Sequence, residues 1–240
     1  MKSKLQFNKK ASEYDQYSNV QENLIKWGLD TLKPSIEKNQ SVLELGAGTG
    51  LLTKFLKNLS FNYTASDESK AMLKIGKKVH PELKWDQKDA WKMSDCKQWD
   101  WIISSSLLQW CPNPIDFFLR IRKSLNPKGS HFHLFYSHPS LVELQKCGFK
   151  SPLQWHSLTD WESYLLKSGF RSIQLSSQSK TFWYDTAIAS IRTIHQVGAT
   201  YNQLTPYREM KRILQDYQSI YQNSKGIPAT WNFSLIKAEI

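Results

Sequence analysis

Apolar and polar positions alternate along this chain in blocks whose period changes. Val20, Leu24, Trp27 and Leu29 fall on one face of a helical wheel and predict a helix over 20–32, ending before Pro34. Ser41–Leu45 is a short apolar run of strand type. Leu51, Leu52, Phe55, Leu56 and Leu59 return to helical spacing and predict a helix over 51–59. Strand-like and helix-like segments then alternate, with strands expected at 61–66, 83–86, 99–104 and 131–136 and helices at 69–78 and 114–125. Asn126-Pro127-Lys128-Gly129 reads as a turn. This rhythm predicts an α/β protein with a parallel sheet covered by helices on both faces.

The last third follows another pattern. Leu158–Lys167 reads as a helix stopped at Gly169, and Ile173–Ser176 begins a strand. Two helix-like stretches, 186–196 and 207–221, come before an alternating final strand, Thr230–Lys237. A helical pair therefore interrupts the end of the sheet.

Charge adds a preference for partners. The 240 residues carry 32 Lys and Arg against 21 Asp and Glu, a formal charge of +11. Such a surface favours acidic partners, although the basic residues are spread along the chain. The three cysteines have no pairing or metal spacing and suit a reducing compartment. Met1–Asp15 lacks the apolar core of a signal peptide, and no apolar run approaches the ~20 residues that cross a bilayer. A cytoplasmic protein with no membrane contact and no metal is expected.

The chemistry concentrates where the first strand meets its helix. Val42-Leu43-Glu44-Leu45 runs straight into Gly46-Ala47-Gly48-Thr49-Gly50. Glycines there either make a tight turn or let a ligand lie against bare backbone beside a helix N-terminus. The G-x-G-x-G spacing is not that of dinucleotide sites. With Glu44 ahead of it, the segment resembles motif I of class I S-adenosylmethionine-dependent methyltransferases. Asp67, at the end of the second strand, is placed to accept ribose hydroxyls or to cap a helix; Ser69 is the better cap. Asp89-Ala90-Trp91 resembles the pair that takes the adenine amino group and packs on its ring, and Asp100–Ser106 resembles motif IV. The resemblance implies a Rossmann-like class I methyltransferase fold with seven mostly parallel strands. It implies cofactor contacts at Glu44, Gly46, Ala47, Gly48, Gly50, Asp67, Glu68, Met72, Asp89, Ala90, Trp91 and Ser104. One domain, 1–240, is expected: a cap over 1–40, a core over 41–177, a helical lid over 184–225 and a last strand over 228–240.

A narrower resemblance rests on Ala11–Tyr17 with Val20-Gln21, on Leu107-Leu108-Gln109-Trp110, on Ile191–Thr200 with its Val-Gly-Ala-Thr end, and on Gly226–Trp231. Together they are similar to the malonyl-acyl-carrier-protein methyltransferases of biotin synthesis. That family implies methyl transfer to the free carboxylate of a malonyl thioester on an acidic acyl carrier protein, with no nucleic acid involved. A carboxylate is already ionised at neutral pH, so no general base is expected. Tyr14 and Tyr17 are the expected orienting residues, and Gln109, Trp110, His138 and Arg192 the expected substrate contacts. Arg208, Lys211 and Arg212 are the expected carrier-docking residues. Gln154 stands where the family often has an anchoring arginine, with Lys150, His138, His156 or Arg192 as substitutes. The alternative is a methyltransferase for a small-molecule carboxylate of the trans-aconitate type or a quinone precursor. Cys111 is expected to be a packed, inert thiol.

Overall fold

Strand β1 (Ser41–Leu45) forms because it is buried on both sides, and it sits in the middle of the sheet. The computed structural model describes residues 19–32, 36–60, 62–93, 98–151, 153, 155–196 and 206–240. The other strands are β2 (Asn62–Asp67), β3 (Lys84–Gln87), β4 (Trp99–Ser105), β5 (Leu125–Tyr136), β6 (Ser172–Tyr184) and β7 (Ile227–Glu239). They form one sheet in the order β3-β2-β1-β4-β5-β7-β6. Pairings from β3 through β5 are parallel, and β7 runs antiparallel to both β5 and β6. The order reverses between β1 and β4. Their carboxyl ends therefore splay apart into a crevice, the usual ligand position in an open α/β sheet.

Alternation along each strand feeds two cores. Val42, Trp101, Ile103, Phe132 and Leu134 face the larger one, with residues of α1 (Asn19–Leu32), α3 (Lys70–Val79), α7 (Ala187–Gln196) and α8 (Tyr207–Tyr221). Leu43, Leu45, Ile102 and Phe135 face the other, under α4 (Pro114–Ser124) and α6 (Leu158–Lys167). Two short helices complete the set, α2 (Thr53–Leu56) and α5 (Val142–Lys146). Caps fix the helix starts. Ser69 caps α3 through the Met72 N–H at 3.2 Å, Asn113 caps α4, and Ser157 with Asp160 makes a capping box on α6.

Four local expectations are corrected. The helix expected over 51–59 is helical only at Thr53–Leu56, with turns on either side. The expected turn at 126–129 lies within β5, as an irregularity in its pairing with β4. Trp99 faces Leu125 and Trp101 faces Ser130, so β5 advances five residues while β4 advances two. Strand β6, of which only the start was expected, runs on to Tyr184 before α7 begins. The five-residue α5 was not foreseen, being too short to show a period. Among the described residues no helix is long and apolar enough to cross a membrane.

Candidate active site

The loop after β1 is held from beneath. Gly46, Gly48 and Gly50 all lie at positive φ, 63°, 58° and 97°, where a side chain is strained. The Ala47 N–H donates to the Ser66 carbonyl at 2.8 Å, and the Gly50 N–H returns to the Ala47 carbonyl at 2.9 Å. A Cβ on Gly46 would strike Leu107, and one on Gly50 would strike His80. On Gly48 a Cβ would meet nothing within 4 Å. The loop is thus packed at both ends and open at its crest. A flat, polar nucleoside or amino-acid group fits such a surface.

Asp67 joins this loop to the end of β2. One of its oxygens accepts the Gly48 N–H at 2.9 Å and the other the Ser69 N–H at 2.8 Å. Burial raises its carboxyl above the ordinary value, against the pull of these two donors. Each oxygen retains a lone pair for a ligand hydroxyl. Glu68 lies beside it, half-buried, and Met72 is buried in α3.

Glu44 turns inward. It is 1% exposed, and one carboxylate oxygen accepts the Thr53 hydroxyl at 2.6 Å and the Tyr63 hydroxyl at 2.5 Å. It ties β1 to α2 and β2 and braces the loop from within. Burial pushes its carboxyl up to about 7.

At the end of β3, Asp89 caps a short 3₁₀ turn over Ala90–Lys92, accepting the Trp91 N–H at 3.0 Å. Ala90 is buried, and the Trp91 ring meets Phe117 edge-on at 5.4 Å between centroids. Asp89 also lies 3.4 Å from the Lys92 ammonium.

Ser104 also turns inward. It is fully buried, and its hydroxyl is 2.8 Å from Nδ1 of His133, on the face away from the larger core. Strand alternation sends its neighbours elsewhere. Ser105 and Ser106 carry buried hydroxyls with no partner among the described residues, and Ser106 is at φ 56°. Sequence reasoning passed over both, because nothing separates one serine from the next in a run of three. Gln109 donates Nε2–H to the Ser106 carbonyl at 2.8 Å, and Trp110 packs half-buried against the larger core.

The remaining candidates are more dispersed. The His138 side chain is exposed, while its peptide N–H donates to the His156 carbonyl at 3.0 Å. His156 Nδ1 is 3.2 Å from the Tyr164 hydroxyl. Arg192 is exposed on α7, and Arg208, Lys211 and Arg212 are exposed on α8. Arg212 reaches Asp216 at 3.8 Å. Between α7 and α8 lies a cleft of about 920 Å³ lined by Ile188, Tyr207, Met210, Lys211 and Leu214 among others. Cys111 is buried and its thiol is pushed up to about 12, which leaves it protonated and unreactive. Tyr14, Tyr17 and Gln154 lie outside the described residues.

Comparison with known proteins places this geometry. A family model described as a methyltransferase domain matches residues 17–179. The malonyl-[acyl-carrier protein] O-methyltransferase of Brevibacillus brevis is 23% identical over 260 residues, covering 97% of this chain and 93% of that protein. The protein of the same name from Haemophilus ducreyi is 25% identical, covering 92% and 89%. Among solved structures, the YcgJ protein of Bacillus subtilis matches with a TM-score of 0.68 at 15% identity, over 90% of this chain and 97% of its own, and so shares the fold.

Proposed function

Because this chain belongs to the methyltransferase-domain family, we propose that it transfers the methyl group of S-adenosylmethionine to the free carboxylate of a malonyl thioester on an acyl carrier protein. The observation that carries the substrate is similarity along nearly the whole chain, lid included, to relatives named for that reaction. The open crest at Gly48, bridged to Asp67, supports the donor.

When bound, S-adenosylmethionine supplies an electrophilic methyl on a positive sulfur. The substrate's carboxylate oxygen bonds to that methyl as the carbon–sulfur bond breaks, and the electron pair stays on sulfur. No proton moves, so the reaction calls for no general base. The protein's work is alignment and exclusion of water. The bare backbone at the crest of the glycine loop borders the donor's amino-acid end. Asp67 accepts the ribose hydroxyls, and Asp89 with Trp91 borders the adenine. Glu44 acts through Thr53 and Tyr63 as a positioning residue.

Tyr14 and Tyr17 orient the carboxylate, Tyr14 foremost. Tyr14→Phe is expected to lower turnover while leaving S-adenosylhomocysteine affinity unchanged; normal turnover would remove it from the mechanism. Gln109, Trp110, His138 and Arg192 border the acceptor. Arg208, Lys211 and Arg212 dock an acidic carrier protein, the partner that a +11 chain favours. Rescue of a biotin-requiring strain that lacks this methylation tests the proposal in a cell. Growth without biotin supports it. Failure to grow, together with methylation of free dicarboxylic acids by the purified protein, would move the substrate to the small-molecule class.

A further inference from the structure

We propose that the hydroxyls of Ser105 and Ser106 anchor the carboxylate of the methyl-accepting substrate. This rests on the malonyl reading above and supplies the anchor it lacks. Both hydroxyl oxygens are shut off from solvent, and neither has a partner among the described residues. Gln109 Oε1, on a residue 5% exposed, is in the same condition. Leaving a buried polar group unpaired is costly, so three within five positions mark a place built to meet a polar ligand. Ser104 is satisfied by His133, so the orphaned state is not general to the serine run.

The position is the right one. On the β1–β4 ladder Glu44 faces Ile103, and Leu107 packs against Gly46. The two serines therefore stand beside the glycine loop, at the crevice where the strand order reverses. Their backbone is set firmly. The Ser106 N–H donates to the Leu134 carbonyl at 2.8 Å, and Gln109 holds the Ser106 carbonyl from the other side. Ser106 is kept at φ 56°, a conformation strained for a non-glycine residue and one that tends to persist at working sites.

The chemistry of the turn selects the ligand. Residues 104–114 contain no charged side chain, so its free donors are neutral hydroxyls. Hydroxyls suit a carboxylate that must remain nucleophilic. A guanidinium fork would occupy both oxygens and stabilise the charge more strongly in the ground state. A pair of hydroxyls fixes one oxygen and leaves the other to attack.

The test titrates malonyl-pantetheine into the full-length protein saturated with S-adenosylhomocysteine, following heat of binding. Ser105→Ala and Ser106→Gly are compared with wild type; glycine tolerates the positive φ while removing the hydroxyl together with its β-carbon. Each is expected to weaken malonyl-pantetheine about tenfold, the usual scale for a hydrogen bond to a charged group, while S-adenosylhomocysteine affinity stays within about twofold. Ser105→Thr, which keeps a hydroxyl, should restore binding. Unchanged malonyl affinity in both variants overturns the anchor. So does a loss of S-adenosylhomocysteine affinity, which would assign the hydroxyls to the donor's own carboxylate. Binding that depends on the serines without any methylation of malonyl-carrier protein would overturn the reaction and leave the anchor standing.

Discussion

Two carboxylates, Glu44 buried and Asp67 half-buried, do different work. Asp67 is shared between two backbone N–H donors and retains acceptor capacity toward the loop crest. Asp67→Ala removes the bridge to Gly48 and, with it, the proposed ribose contact. Calorimetry is expected to show S-adenosylhomocysteine binding weaker by about 10- to 100-fold, the cost of one or two charge-assisted hydrogen bonds. Undiminished affinity would dissociate Asp67 from the donor. Glu44 is wholly internal, and its carboxyl is raised to about 7 against about 4.5 in an unfolded chain. Between these values the folded protein holds a proton that the unfolded chain has released. The resulting stability is present below about pH 4.5 and is lost as pH rises through 7, a change of about 3 kcal/mol. Glu44→Gln keeps an acceptor for Thr53 and Tyr63 and cannot ionise. Its melting temperature relative to wild type should therefore rise between pH 5 and pH 8; a constant difference would show that Glu44 is ionised throughout.

At the scale of elements, β5 carries an acid-sensitive pair. His131 and His133 are fully buried, 5.0 Å apart between ring centroids, within reach of Phe117, Phe118 and Phe170. Burial pulls His131 down to about 3 and His133 well below its ordinary value. Folding therefore demands neutral imidazoles. Their cost is absent above about pH 6.5 and grows as pH falls toward 3, at about 1.4 kcal/mol per pH unit for each histidine. His131→Phe, in this aromatic setting, should reduce the loss of melting temperature between pH 7 and pH 5; an unchanged loss would place the acid sensitivity elsewhere.

The same strands show what the sequence discloses. The first strand and its glycine loop were legible because an apolar run and a glycine series are strong local signals. Strand β6 was legible only at its start. It lies at the sheet edge with most of its side chains exposed, so Ser176–Lys180 carries no alternation to read. Asp67 could be placed from its position at a strand end. The inward turn of Glu44, the bond between Ser104 and His133 and the orphaned hydroxyls of Ser105 and Ser106 depend on tertiary neighbours, which no local pattern encodes.

Over the whole molecule, charge bears on the proposed docking face. The exposed face of α8 carries Arg208, Lys211 and Arg212 beside the cleft it shares with α7. Helix α8 is bound back to the sheet by the Tyr217 hydroxyl, which donates to the Pro228 carbonyl at 2.5 Å. If these cations steer an acidic carrier, kcat/KM on carrier-bound substrate should fall steeply with salt, while that on malonyl-pantetheine should hardly change. Reversing Arg208 and Lys211 to Glu should raise the carrier KM about tenfold and leave the small thioester unaffected. Equal salt dependence for both substrates would remove the docking face.

Intact-protein mass spectrometry of malonyl-acyl carrier protein, incubated with this protein and S-adenosylmethionine, tests methyl transfer to the carrier-bound malonyl group. A mass gain of one methyl, sensitive to esterase and absent with unacylated carrier, is the predicted result. An unchanged carrier mass, under conditions in which the protein demonstrably binds S-adenosylmethionine, would contradict it.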